Sequence, residues 1–360
     1  MRRWLQRLHL YFGLILTVYA VLLGVSGALL VFEKELADLS RPQFLQIPAS
    51  EISTGPDQII ATVRERYPEW RALSMTWPRP DAPYWLTYLL RGKEAKQVYF
   101  DPKTGAILGE NDPSAGWLGA VKQLHVNLLA GRIGRVINGA GAVILVFMAL
   151  TGVILWWPVR RWPWQLFTGT AREMHYSAGI ISAVFLFMFA VTGIYFVWPQ
   201  AFIKTVHDIL GTAPEIKLAP RPKNAPLLPL DVLAAKTEAV VRGRPIFRMQ
   251  MVTRPDQPMR VTILEGSVAE FHRVSTVVLD PVTGDVVRLQ LSRDKHVSDA
   301  FISWMSAVHF GVFGGIFVKL FWVLLGLSLP ALALTGFLIW IRKQKKTAPF
   351  PVTKEVLVHR

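Results

Sequence analysis

Four long apolar stretches, at about 10–32, 136–157, 176–198 and 316–341, constrain this chain more than anything else in it. Each carries close to the roughly 20 apolar residues that one helix needs to cross a bilayer. The chain is 52% hydrophobic, with 13 Trp and 20 Phe, so a water-soluble reading has little support. The first stretch is long and Gly-rich and has no small-residue cleavage site, so it reads as a retained helix. Lys and Arg set the orientation. Arg2, Arg3 and Arg7 precede the first stretch, Arg160, Arg161 and Arg172 lie between the second and third, and Arg342, Lys343, Lys345 and Lys346 follow the fourth. With four spans these clusters share one side, so both termini are expected in the cytoplasm and the two long loops outside. The formal net charge of +15 is read as this same bias and not as a nucleic-acid footprint.

The chain is duplicated, and histidines take part in the repeat. His125 stands 26 residues before Thr151 and His309 stands 26 before Thr335. His9 stands 17 residues before Ser26 and His175 stands 17 before Thr192. In each case the marker residue is followed by Gly. The loops repeat as well, in the turns Asp101-Pro102-Lys103-Thr104-Gly105 and Asp280-Pro281-Val282-Thr283-Gly284. Each turn joins two β-prone runs. A helical pattern lies upstream of each, at 56–65 and 230–241, and further strands are expected at 84–90, 245–252 and 259–264. The expected fold is therefore a membrane α-helical protein of four transmembrane helices in two parallel repeats, with two small α+β modules outside. The boundaries are 1–33 for the first span and its cytoplasmic N-terminus, 34–131 for the first module and 132–158 for the second span. A cytoplasmic loop follows at 159–173, the third span at 174–199, the second module at 200–310, the fourth span at 311–342 and a cytoplasmic tail at 343–360.

Ionisable groups at membrane depth are expensive and by default functional. Four histidines in two symmetric pairs, His9 with His175 and His125 with His309, suggest bis-histidine axial ligation of two haems of the b type. The chain has no Cys, which excludes thiolate iron–sulfur clusters, C-x-x-C-H haem attachment and catalytic thiols, so the haem is held non-covalently. Helix throughout from His125 to Trp156 would be too long for the core, so breaks are expected at Gly131–Gly134 and Gly311–Gly315. Arg132, Arg135 and Lys319 near the outer pair, and Arg2, Arg3, Arg7 and Arg172 near the inner pair, suit propionate carboxylates. His207, His272, His296 and His359 have no counterpart and read as surface residues. The Trp residues at 117, 156, 157, 162, 164, 198, 304, 322 and 340 read mainly as an interface belt. Gly139-Ala140-Gly141 lacks the strand and third glycine of a dinucleotide loop and reads as a packing patch. No motif for NAD(P)H or flavin is present, so electrons are expected from membrane quinol or a separate reductase.

The two D-P-x-T-G turns, the two modules and the T-G-x-x-x-W ends of the second and fourth spans resemble the PepSY-associated transmembrane helix family. Within it, the chain looks like the inner-membrane siderophore reductases of the ferrioxamine type. That resemblance implies a multi-pass protein of the bacterial inner membrane with PepSY-like modules in the periplasm. It also implies two b haems in four spans and the enzymatic reduction of ferric siderophore to release Fe(II). Two other readings remain open: a regulatory protein whose modules bind a peptide or envelope protein at exposed strand edges, and a component of an iron-siderophore or haem transporter.

Overall fold

The computed structural model describes residues 1–39, 51–158, 169–216, 218–266 and 274–347. Arg160, Arg161, Trp162, Trp164, His272 and His359 lie outside the described residues, as does most of the expected cytoplasmic loop and tail.

The chain opens with α1 (Arg2–Ile15) and α2 (Thr17–Leu30), followed by the short α3 (Glu33–Leu39). The first apolar stretch is thus two helices and not one, with axes bent by 61° at Leu16. Two local features accompany the bend. Thr17 Oγ1 bonds back to the Gly13 carbonyl at 2.9 Å, a contact that bends helices. α1 also opens on polar residues (Arg2, Arg3, Gln6, Arg7), whereas α2 carries no charged residue, so the two halves suit different depths.

The first module comprises α4 (Pro56–Arg66), β1 (Arg71–Thr76), β2 (Trp85–Arg91), β3 (Glu94–Phe100) and β4 (Ile107–Asn111). It leads into α5 (Gly116–Asn127), then the long α6 (Gly131–Trp156) and α7 (Ala171–Val197). After α8 (Pro199–Leu210), the second module repeats the first with α9 (Leu230–Val241), β5 (Ile246–Gln250), β6 (Met259–Leu264), β7 (Val274–Leu279) and β8 (Val286–Gln290). α10 (Val297–Phe310) and α11 (Gly315–Thr347) complete the chain. α6, α7 and α11 are each long and apolar enough to cross a membrane, and the bent α1–α2 pair passes the same test jointly.

The modules are not separate. All eight strands form one antiparallel sheet in the order β4-β3-β2-β1-β5-β6-β7-β8. The halves join where β1 meets β5, with Ser74 opposite Gln250, Met75 opposite Met249 and Thr76 opposite Arg248. Met75 and Met249 therefore mark a pseudo-two-fold axis. Both are fully buried, in one core shared by the halves that also takes Ile59 and Val63 of α4, Leu233 of α9, Trp85, Phe100, Val261 and Leu279. Across the axis, Asp57 of α4 accepts bonds from the Leu230 and Asp231 amides at 2.9 and 3.0 Å, capping α9 from the opposite half. One strand edge of each module is thus used on the other; β4 and β8 form the outer edges.

The D-P-x-T-G turns form as their residues dictate. Asp101 Oδ1 accepts from the Lys103 and Thr104 amides, both at 2.8 Å, and Gly105 takes φ +74°. Asp280 and Gly284 (φ +72°) repeat this in the second half.

Candidate functional site

Each repeat supplies one histidine near the start of a span and one on the short helix before the next span. His9 lies on α1 and His175 in the first turns of α7. His125 lies on α5, which ends at Asn127; Leu128 and Leu129 then take φ +52° and +58° and turn the chain back into α6. Two consecutive leucines in this region carry backbone strain of order 1–3 kcal/mol each, which the packing of α5 on α2 and α6 has to offset. His309 lies on α10, which ends at Gly311 (φ +67°) before α11.

The rings meet in the expected pairs. His9 and His175 have ring centroids 6.5 Å apart with planes at 88°. His125 and His309 have centroids 6.2 Å apart with planes at 61°. Two metal–nitrogen bonds of roughly 2 Å, plus the distance from each bonded nitrogen to its ring centre, place two imidazoles on one metal about 6 Å apart between centroids.

The hydrogen bonds fix which nitrogen carries the hydrogen. His9 Nδ1 meets Thr151 Oγ1 at 2.7 Å, and His125 Nδ1 meets Ser26 Oγ at 3.0 Å. His175 Nδ1 meets Thr335 Oγ1 and the Leu332 carbonyl, both at 3.1 Å. His309 Nδ1 meets Thr192 Oγ1 at 2.7 Å. Each of these hydroxyls has one proton and already donates it to the carbonyl four residues back. Ser26 bonds Leu22 O at 2.6 Å, Thr151 bonds Phe147 O at 2.8 Å, Thr192 bonds Met188 O at 2.9 Å and Thr335 bonds Ala331 O at 2.7 Å. The hydroxyl oxygen can then only accept from the ring, so Nδ1 carries the hydrogen and Nε2 keeps its lone pair. A second partner that holds the far ring nitrogen is a regular feature of metal-ligating histidine.

At three of the four seats the glycine after the hydroxyl residue faces the imidazole, whereas Gly193 faces Ala142. A Cβ at Gly27 would lie 2.9 Å from His125 Cε1, at Gly336 3.4 Å from His175 Cε1 and at Gly152 3.5 Å from His9 Cε1. The hydroxyl thus holds an imidazole from a neighbouring helix at all four positions, and at Gly27 the missing side chain also makes room for the ring. Sequence reasoning used Ser26, Thr151, Thr192 and Thr335 only as register markers. Their fixed spacing to histidine was the signal of this role.

A cavity of about 530 Å³ surrounds the inner pair, between α1, α6, α7 and α11. That lies within the 300–1,000 Å³ range of cofactor and ligand sites. Its walls are mostly apolar, and Arg2, Arg172 and Lys343 line it with no Asp or Glu among the lining residues. Arg132 and Arg135, expected beside the outer pair, are exposed on the first turns of α6, and Arg135 donates to the Phe196 carbonyl at 2.5 Å. Lys319 pairs with Glu35 at 2.5 Å. Arg3 and Arg7 are exposed. The outer pair is enclosed by aromatic rings instead: Phe196 lies 5.1 Å, Phe310 5.5 Å and Phe189 6.1 Å from His309.

Between the two sites the repeats differ. In the first half, Tyr19, which lines the cavity, bonds Asn138 Oδ1 at 2.8 Å, and Asn138 Nδ2 bonds the His125 carbonyl at 2.7 Å. Gly141 leaves room for the Tyr19 ring, and Gly139 for Trp198, so the glycine patch packs helices. In the second half, Trp322 donates to the Val308 carbonyl at 2.6 Å and stacks edge-on with Phe185 and Phe189. Trp322 is buried and so is no part of an interface belt. His296 is a helix cap, accepting from the Ser298 amide at the start of α10, and His207 sits 3.6 Å from Asp299.

The sites are well separated along the bundle. His175 and Thr192, which seats His309, stand 17 residues apart on α7, a rise of about 25 Å.

No curated protein matches the chain. A family match extends over residues 6–343 and takes in both histidine pairs, all eight strands and every apolar helix. The chain belongs to the family of the PepSY-associated TM region.

Proposed function

We propose that the chain is a di-haem b electron conduit of the bacterial inner membrane that reduces ferric siderophore in the periplasm and so releases Fe(II). The observation that carries this reading is that all four paired histidines are held at Nδ1 by a hydroxyl that already donates to its own helix, which leaves the Nε2 lone pair of each for a metal. The ring separation at both pairs, the cavity at the inner pair and the room left by Gly27 at the outer pair fit a flat macrocycle with bis-histidine ligation. When bound, the two haems supply one-electron carriers at two depths, and Fe(III) held by oxygen donors loses affinity on reduction because Fe(II) is the weaker Lewis acid.

The protein's own groups have defined parts in this scheme. Thr151, Thr335, Ser26 and Thr192 hold the imidazoles in register. Arg2, Arg172 and Lys343 stand where the two carboxylates of an inner haem need cations. Phe189, Phe196 and Phe310 keep water from the outer pair. Counting the bent α1–α2 pair as one crossing gives four spans, with both termini in the cytoplasm and the eight-stranded sheet outside. Membrane quinol or a separate reductase is the donor.

The test is a reduced-minus-oxidised spectrum of protein purified in detergent, followed by reoxidation with a panel of ferric chelates. A reducible b-type spectrum that a ferric siderophore reoxidises supports the reading. Protein that stays colourless after added hemin overturns it.

A further inference from the structure

The fused sheet brings two arginines from opposite halves onto one aromatic ring. Arg79, in the loop after β1, holds its guanidinium carbon 4.9 Å from the centre of the Phe247 ring. Arg248, on β5, holds its own 5.2 Å from the same centre. The β1–β5 pairing creates this arrangement by setting Thr76 opposite Arg248 and the Trp77 amide 3.0 Å from the Phe247 carbonyl. Two cations at one ring repel each other; among the described residues Asp81 holds Arg79 through both Nε and Nη2, at 3.1 and 3.4 Å, and Arg248 has no ion pair. Among the described residues, the one hydrogen bond of Arg248 is from Nε to Thr76 Oγ1, long at 3.3 Å. Its terminal nitrogens remain to be used, and the residue is exposed. The pairing itself does not require a cation here. The pseudo-two-fold that sends Met249 to Met75 sends Arg248 to Ser74.

We propose that Arg248, stacked on Phe247 beside the Asp81-bound Arg79, is the docking site for the anionic oxygens of a ferric chelate, of the carboxylate or catecholate class and not a neutral or cationic hydroxamate. The proposal rests on the ferric-reductase reading for its occupant. A planar guanidinium with two unused terminal nitrogens matches a carboxylate or a pair of catecholate oxygens in a forked contact. The Phe247 face holds the guanidinium in place beforehand, which lowers the ordering cost of binding.

The experiment uses gallium(III) citrate, which is not reduced, so it reads binding whether or not the haem assignment is right. Binding is measured by tryptophan fluorescence on the full chain in nanodiscs of zwitterionic lipid. We expect saturable binding that Arg248→Gln weakens on the order of tenfold, while Arg260→Gln, exposed on β6, changes it less than twofold. Far-UV circular dichroism checks that the variants fold. A second readout needs no variant: raising NaCl from about 50 to about 500 mM weakens binding severalfold if a charge pair carries it. The proposal is overturned if affinity is the same with and without Arg248, if it ignores salt, or if a gallium trihydroxamate binds equally well. Displacement of the chelate by anionic lipid added to the disc assigns the cluster to lipid headgroups and overturns it too.

Discussion

A hydroxyl that has given its only proton to its own helix can do one thing for a neighbouring imidazole, which is accept. This makes Ser26, Thr151, Thr192 and Thr335 as specific to the site as the histidines, and it yields sharp expectations. Thr151→Val keeps the shape and removes the acceptor, so the inner site should bind hemin 10–100-fold more weakly, as outer-shell partners of metal ligands typically do; a hemin titration measures this. Gly27→Ala sets a methyl 2.9 Å from His125 Cε1, closer than such contacts occur. It should cost the outer haem and spare the inner, reducing haem content from two per chain to one. The histidine pairs were legible in the sequence because duplication put each at a fixed distance from a Ser-Gly or Thr-Gly dipeptide. The purpose of that dipeptide was not legible, because the contact runs between helices: His9 to Thr151 is 142 residues along the chain. Arg2 and Arg172, named from the sequence beside the inner pair, line the cavity, while Lys343, which joins them from a third helix, was not foreseen there.

Elements follow their local residues closely and their partners only loosely. The D-P-x-T-G turns, α4 and α9 form where proline, glycine and apolar spacing put them. The bend at Leu16 and the β1–β5 junction were not legible: the bend carries no proline, and nothing local in an edge strand names the edge it will pair with. The junction has a titratable feature. Asp231 lies against Gly55 at the start of α4 and beside Asp57, and burial together with that carboxylate holds its carboxyl above the ordinary aspartate range. Folding thus favours the protonated form. The stabilisation this gives is complete at low pH and is lost as pH rises through the folded-state value. Asp231→Asn should therefore melt higher than the parent at pH 8 and level with it at about pH 3, below the ordinary aspartate value. Asp57→Ala removes the cap of α9 and should cost about 1 kcal/mol at pH 7, seen as a lower melting temperature.

At the scale of the whole molecule, the repeats place two ring pairs about 25 Å apart along the helices of a chain that also forms a sheet of eight strands. Four apolar stretches and a duplicated loop were enough to foresee a membrane protein with strand-rich modules; that the modules share one core was not, because their joint burial depends on the pseudo-two-fold and not on either half. If electrons cross from the cytoplasmic side, His9→Ala should abolish quinol-driven reduction at the outer site while leaving its reduction by dithionite unchanged. An outer site that still reduces at the normal rate from the membrane pool would mean that quinol reaches it directly. The most direct test of the central claim is the haem-to-protein ratio of the purified chain, by pyridine haemochrome, for the parent and for His125→Ala. The account predicts two b haems per chain in the parent and one in the variant, with the inner spectrum intact. A ratio near zero in the parent after hemin loading, or an unchanged ratio in the variant, would contradict it.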